Sequence, residues 1–271
     1  MHKIIANSLP KSGTHLLVRV LELCGIKQSD SIHLSASLVR KSSRNPIKNL
    51  LIGSRVSCGG LSVDLEIEEN RVSKAWLDRQ LNKVRPGEFV EAHLPYSEEL
   101  ASFLLHEMKF KMIYIYRDPR AVALSYINHV YKVKNYPLRG MFENKSLSEK
   151  LQIVLKGIDL GVYKLLPLNQ RLEKSYGWAN SNNVCTVRFE DLIGPKGGGG
   201  RSKQMDSIIH IVTYLGLENV NVNDIVDQVY DSQAETFHKG TIDRWQKEFS
   251  QSDIELMNDM LRDWLNKLGY A

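Results

Sequence analysis

Ile4-Ile5-Ala6 runs directly into Asn7-Ser8-Leu9-Pro10-Lys11-Ser12-Gly13-Thr14-His15-Leu16-Leu17, and this stretch decides the fold. A short apolar run, a turn holding a proline, a lysine and a glycine, and then paired leucines spell strand, tight turn, helix. The first backbone N–H groups of a helix have no partner within it, and its N-terminus carries about half a positive charge. Such a turn is therefore a ready anion site. Lys11 and the hydroxyls of Ser12 and Thr14 add charge and donors to it. The turn is not a Walker A loop, because that motif places its lysine directly after the second glycine. Here the lysine precedes the only glycine by two residues, and Ile5 stands six residues upstream of Lys11. Taken alone, the turn fits an anion cradle and an ordinary strand-to-helix turn with an exposed lysine equally well.

Outward from that turn, four apolar runs have the continuous character of buried parallel strands: 4–6, 88–92, 112–116 and 184–189. The first helix is expected over 14–24, with Leu16, Leu17, Val20, Leu21 and Cys24 on one face and Gly25 as its stop. Asp118 suits an N-cap and Pro119 a first helical position, for a helix to about Tyr131. Further helices are expected over 148–165, 203–215, 223–230 and 252–268. Strands alternating with helices predict an α/β fold, a central parallel sheet of four to five strands with helices on both faces. Residues 33–85 lack a clean period and read as an insertion that covers a substrate. The run Gly197–Gly200 reads as a mobile loop rather than a phosphate cradle.

Composition narrows the class. The chain has 271 residues, 42% hydrophobic and 25% charged, enough for one large α/β domain over 1–271. No apolar run of eighteen residues exists, so no membrane span is expected. Three widely spaced cysteines, Cys24, Cys58 and Cys185, argue against a disulfide framework or a structural zinc site. Together these predict a reduced, cytoplasmic protein. A net charge of +5 suits an anionic ligand and is too weak to call for nucleic acid. Arg40, Lys41, Arg44, Lys48 and Arg55 fall in an acid-free stretch, either a substrate wall or a solvated face.

Three more signals lie at predicted strand ends. Arg117 follows the third strand, and Ser125 lies two turns into the helix capped by Asp118; a guanidinium fork and a hydroxyl suit a second phosphate. A structural pairing of Arg117 with Asp118 or Glu190 is the competing reading. His93, in Glu91-Ala92-His93-Leu94-Pro95, sits just past the second strand, where an imidazole beside anion sites is a candidate general base. Lys239 and Gly240, in Phe237-His238-Lys239-Gly240, offer a charge and an open backbone N–H.

The set P-K-S-G-T, H-L-P, I-Y-I-Y-R-D-P-R-A-V-A-L-S-Y, R-F-E-D-L and F-H-K-G, in this order from Lys11 to Gly240, resembles the sulfotransferases that use 3′-phosphoadenosine-5′-phosphosulfate (PAPS), with bacterial members nearest. The resemblance implies a P-loop-NTPase-like sheet. It also implies that Lys11 meets the 5′-phosphosulfate, while Ser12, Gly13 and Thr14 hold the 5′-phosphate. Arg117 and Ser125 would bind the 3′-phosphate, with Lys239 and Gly240 closing over it. His15, Phe189 and His238 complete the implied donor-binding set, and His93 would deprotonate the acceptor. The product is the 3′,5′-bisphosphate PAP, and no metal is expected. The sequence departs from the family where an aromatic residue often stacks on adenine (here Leu16), at a frequent tyrosine (Phe189), at a basic residue (His238) and at G-D-W (Asp243-Arg244-Trp245).

Two alternatives stand beside it: a P-loop kinase, which lacks its magnesium ligands here, and a non-catalytic anion-binding module. The acceptor is expected to be a small molecule, a lipid or a glycan rather than a nucleic acid. Residues 132–150, with Tyr136 and Phe142, are expected to line its site together with 33–85 and Tyr131.

Overall fold

A computed structural model describes residues 1–30, 61–63, 71–134, 136–160, 164–230 and 241–271. Its centre is a five-stranded sheet made of β1 (Ile4–Ser8), β2 (Lys27–Gln28), β3 (Glu88–Ala92), β4 (Lys111–Tyr116) and β5 (Val184–Arg188). The spatial order is β2-β3-β1-β4-β5, and every neighbouring pair is parallel. Ile5 lies opposite Val90 on one side and Met112 on the other, which places β1 in the middle. The chain leaves β1 for β2 and β3 on one flank and later fills β4 and β5 on the other. The reversal opens a crevice beyond the carboxyl ends of β1 and its neighbours, where open α/β sheets bind ligands.

Side chains alternate between the two faces of the sheet, as a period of two requires. Ile4 and Ala6 pack with Leu16, Leu17, Val20 and Leu21 of α1 (Thr14–Leu23) on one face. Ile5 packs with Val90, Met112 and Trp178 on the other. A third cluster joins α2 (Pro119–Lys132) to α3 (Leu147–Lys156), α4 (Leu168–Tyr176) and the paired helices α5 (Gln251–Met260) and α6 (Arg262–Leu268). Each fully buried leucine or isoleucine in these layers contributes roughly 1.5–3 kcal/mol of transfer free energy.

Several boundaries differ from the sequence expectation. The helix expected over 148–165 ends at Lys156, because Gly157 turns the chain at φ 75 into a hairpin of Ile158–Asp159 with Lys164–Leu165. A side chain at Gly157 would strike the Leu165 carbonyl and Pro167. The helix expected over 252–268 is split at Leu261, whose φ of −111 leaves the helical range. The short strand β2 was not expected, nor was α4, although Leu168, Leu172 and Ser175 recur along its buried face. Of 33–85, residues 61–63 and 71–85 are described, and they pack against the sheet. Leu61–Ser62 pairs antiparallel with Arg71–Val72, and Trp76 and Leu77 of the helix Lys74–Leu81 seal a sheet face. The basic stretch from Arg40 to Arg55, and Cys58, lie outside the described residues. The glycine run is a closed turn, not an open loop: Gly197, Gly198 and Gly199 donate to Gly194, Pro195 and Gly194, and Ile242 donates to the Gly197 carbonyl.

Candidate active site

The turn after β1 is tightly determined. Lys11 takes a left-handed φ of 74 and Gly13 a φ of 109, while the Ser12 N–H closes onto the Leu9 carbonyl at 3.1 Å. Gly13 is required twice over, by its backbone angle and because a Cβ there would collide with the Phe189 ring. Phe189 opens the short helix Phe189–Leu192, so the predicted strand over 184–189 ends one residue early and its last ring folds under the turn. Ser12 and Thr14 are buried, and the Thr14 hydroxyl shares a 2.6 Å hydrogen bond with the Ser8 hydroxyl.

His93 is held against the same strand. Its Nδ1 lies 3.0 Å from the Ser8 carbonyl oxygen and 3.2 Å from the Ser8 hydroxyl. A carbonyl oxygen only accepts, so Nδ1 carries the proton and donates, leaving the lone pair of the neutral ring on Nε2. The loop that presents His93 is clamped by Asn7, which is fully buried. The Leu94 N–H donates to Asn7 Oδ1 at 2.8 Å, and Asn7 Nδ2 donates to the Leu94 carbonyl at 3.3 Å. Trp178 Nε1 donates to that same carbonyl at 2.9 Å. Lys11 Nζ reaches 3.3 Å from Nδ1 of His129, which lies one helical turn beyond Ser125 on α2. His15 sits at the mouth of the site, exposed by area yet crowded by protein. That desolvation lowers its pKa, Lys11 and His93 add to the effect, and Glu91 opposes it.

Arg117, at the end of β4, lies with its guanidinium 4.0 Å from the centre of the Phe189 ring. Among the described residues no hydrogen bond or ion pair reaches that guanidinium, and its Nε is buried without a partner. Burial lowers its pKa, against the pull of Glu190 and Asp118. The pairing of Arg117 with Asp118 or Glu190 left open by the sequence is not what forms, because both acids are taken up elsewhere. Asp118 accepts from the Arg120 N–H at 2.8 Å and from the Arg120 guanidinium at 2.9–3.2 Å. Glu190 accepts from the Asp118 N–H at 3.1 Å and from the Tyr270 hydroxyl at 2.6 Å, and Arg188 Nε stands 3.4 Å from it. Burial raises the Glu190 pKa, and the Tyr270 and Asp118 hydrogen bonds pull it back. A cavity of about 410 Å³ opens beside these groups, lined among others by Asp118, Arg188, Glu190, Trp245 and Tyr270.

The structure therefore brings Lys11, Ser12, Gly13, Thr14, His15, His93, Arg117 and Phe189 to one edge of the sheet, with Ser125 half-buried on the helix above. His238, Lys239 and Gly240 lie outside the described residues. Trp245, which also lines that cavity, carries the Arg120 guanidinium 4.3 Å from its ring centre and is 4% exposed. Cys24 and Cys185 are free thiols pushed up by burial to about 11 and about 12, which leaves them unreactive. Among the described residues no cluster of His, Cys, Asp and Glu could hold a metal ion, and no helix is long and apolar enough to cross a membrane. Sequence reasoning missed Asn7 and His129 as parts of the site, and it missed the hydrogen bond from Tyr270 to Glu190 beside it. His129 was detectable, since it repeats Ser125 at a spacing of four on one helical face.

The sulfotransferase domain matches residues 2–196. This chain belongs to the sulfotransferase family. The fold agrees with solved members: mouse sulfotransferase SULT7A1 complexed with PAP superposes with a TM-score of 0.60 at 16% identity, covering 98% of this chain and 85% of that one. Retinol dehydratase in complex with androsterone and inactive cofactor PAP superposes at 0.54 with 15% identity, over 97% and 80% of the two chains. No curated protein matches this sulfotransferase significantly in sequence.

Proposed function

We propose that this sulfotransferase moves the sulfonate group of PAPS to a hydroxyl or amine of its acceptor in one in-line step, with His93 as general base. The acceptor oxygen or nitrogen attacks sulfur while its proton passes to Nε2 of His93. The bond from sulfur to the bridging oxygen breaks, and PAP leaves with the new charge on its 5′-phosphate. Lys11 and the helix-end N–H groups meet that charge, and Arg117 and Ser125 grip the 3′-phosphate. The observation that carries the reading is the Ser8 carbonyl on His93 Nδ1, which leaves a basic nitrogen beside the Lys11 turn. The unpaired, buried Nε of Arg117 supports a phosphate at the second position. The transferring sulfonate bears a single negative charge, so a lysine, an imidazole and preorganised N–H donors can stabilise its transfer. Holding the acceptor in line supplies the rest by orientation. PAP and androsterone in the superposed structures support a small alcohol as acceptor.

The test is release of PAP from PAPS against a panel of phenols, sterols, glycans and small alcohols. Acceptor-dependent release supports the reading. Tight PAP binding with no release from any acceptor would favour a binding module, and turnover of ATP with magnesium would favour a kinase.

A further inference from the structure

Arg117 is surrounded by acids that do not pair with it. Asp118 follows it in sequence and is wrapped by Arg120, which also donates to the Tyr270 carbonyl at 2.8 Å and to Asn258 at 2.9 Å. Glu190 follows Phe189, whose ring underlies the Arg117 guanidinium, and its carboxylate is shared by the Tyr270 hydroxyl, the Asp118 N–H and Arg188. Tyr270 is itself fixed from several sides. Arg188 stacks 3.9 Å from its ring centre, and Tyr116 meets it edge-on at 6.4 Å. A free carboxylate beside a buried guanidinium would pair with it, since such forked ion pairs are the strongest hydrogen bonds available to arginine.

We propose that Tyr270 is a positioning residue that holds Glu190 away from Arg117, keeping the guanidinium open for the donor's 3′-phosphate. This rests on the assignment of Arg117 to that phosphate. Without the tyrosine hydroxyl, Glu190 loses its shortest hydrogen bond and turns to Arg117, where it competes with the incoming phosphate. Charge competition of this kind has a signature that a packing defect lacks: removing the competing charge restores binding.

The experiment measures equilibrium binding of PAP and of adenosine 5′-monophosphate, which lacks the 3′-phosphate, by titration calorimetry. Tyr270→Phe is expected to weaken PAP about tenfold, the size of one charge-assisted hydrogen bond, and to leave the monophosphate unchanged. Tyr270→Phe combined with Glu190→Gln is expected to return PAP to within about twofold of the parent. Equal loss for both nucleotides, no loss in Tyr270→Phe, or a double variant as weak as the single would each overturn the proposal. Glu190→Gln alone gives a handle that does not depend on the tyrosine variant folding. It is expected to bind PAP as tightly as the parent or more so, and a selective loss of PAP would overturn the idea. Arg117→Gln separates the two layers: if it leaves the preference for PAP over the monophosphate intact, the phosphate assignment fails, and the positioning role falls with it.

Discussion

At the scale of single residues, His93 and Lys11 would divide the work of the proposed reaction by charge. His93 presents Nε2 as an acceptor because a main-chain oxygen occupies Nδ1, and a positioned base of this kind contributes about 10²–10⁴-fold. His93→Ala is therefore expected to lower kcat by that range while PAP affinity, measured by calorimetry, stays as it was. In the proposed reaction Lys11 meets the departing oxygen from a turn held at φ 74, with its Nζ 3.3 Å from His129 Nδ1. Lys11→Ala is expected to weaken PAP and slow turnover together, so that kcat and the KM for PAPS both worsen. A change confined to KM would remove its part in the chemistry. The Lys11 turn was legible in the sequence because turn chemistry is local, and His93 because it stands at a strand end, but only the ordered set of motifs tied the two to one reaction. His129, which meets Lys11 at 3.3 Å, lies 118 positions away and becomes a neighbour only once the helix after β4 is laid across the turn.

At the scale of elements, the loop after β3 is set by β1 rather than by its own sequence. Asn7 supplies both a donor and an acceptor to Leu94, and nothing else receives the Leu94 N–H among the contacts described. Asn7→Ala is expected to cost about 1–3 kcal/mol, the price of leaving a buried backbone group without a partner, seen as a lower urea midpoint. It should also reduce kcat through the displaced imidazole, with PAP affinity nearly unchanged because the phosphate turn keeps its own bonds. The four main strands were readable from their apolar runs, since burial on both faces leaves a continuous signal. Boundaries were less so. Gly157 ends α3 where periodicity alone continues it, and Leu261 breaks one apparent helix into two. The two-residue β2 is fixed by pairing with β3, a contact that two residues of sequence do not announce.

At the scale of the whole molecule, the site joins layers that otherwise meet only through the sheet. The turn belongs to the α1 face, the His93 loop to the Trp178 face, and Ser125 and His129 to the third cluster. A nucleotide bound across them ties the three together, and a ligand at a hundred times its Kd adds about 2.7 kcal/mol to stability. PAP is expected to raise the melting temperature by several degrees, and Arg117→Gln should shrink that rise. An unshifted melting curve at saturating PAP would count against the crevice as the donor site. The pairing of Tyr270 with Glu190 was not legible in the sequence for the same reason the layers were not: 80 positions separate them, and only the docking of α6 brings the hydroxyl to the carboxylate.

The Ser8 carbonyl has a consequence for how the enzyme can change. The five-residue strand whose last carbonyl orients His93 also leads into the lysine turn, so in the proposed reaction base and leaving-group lysine would both be set by one strand. Acceptor preference can then drift through surrounding loops while the distance between attack and departure stays constant. No side-chain replacement at position 8 deletes the oxygen that orients the ring.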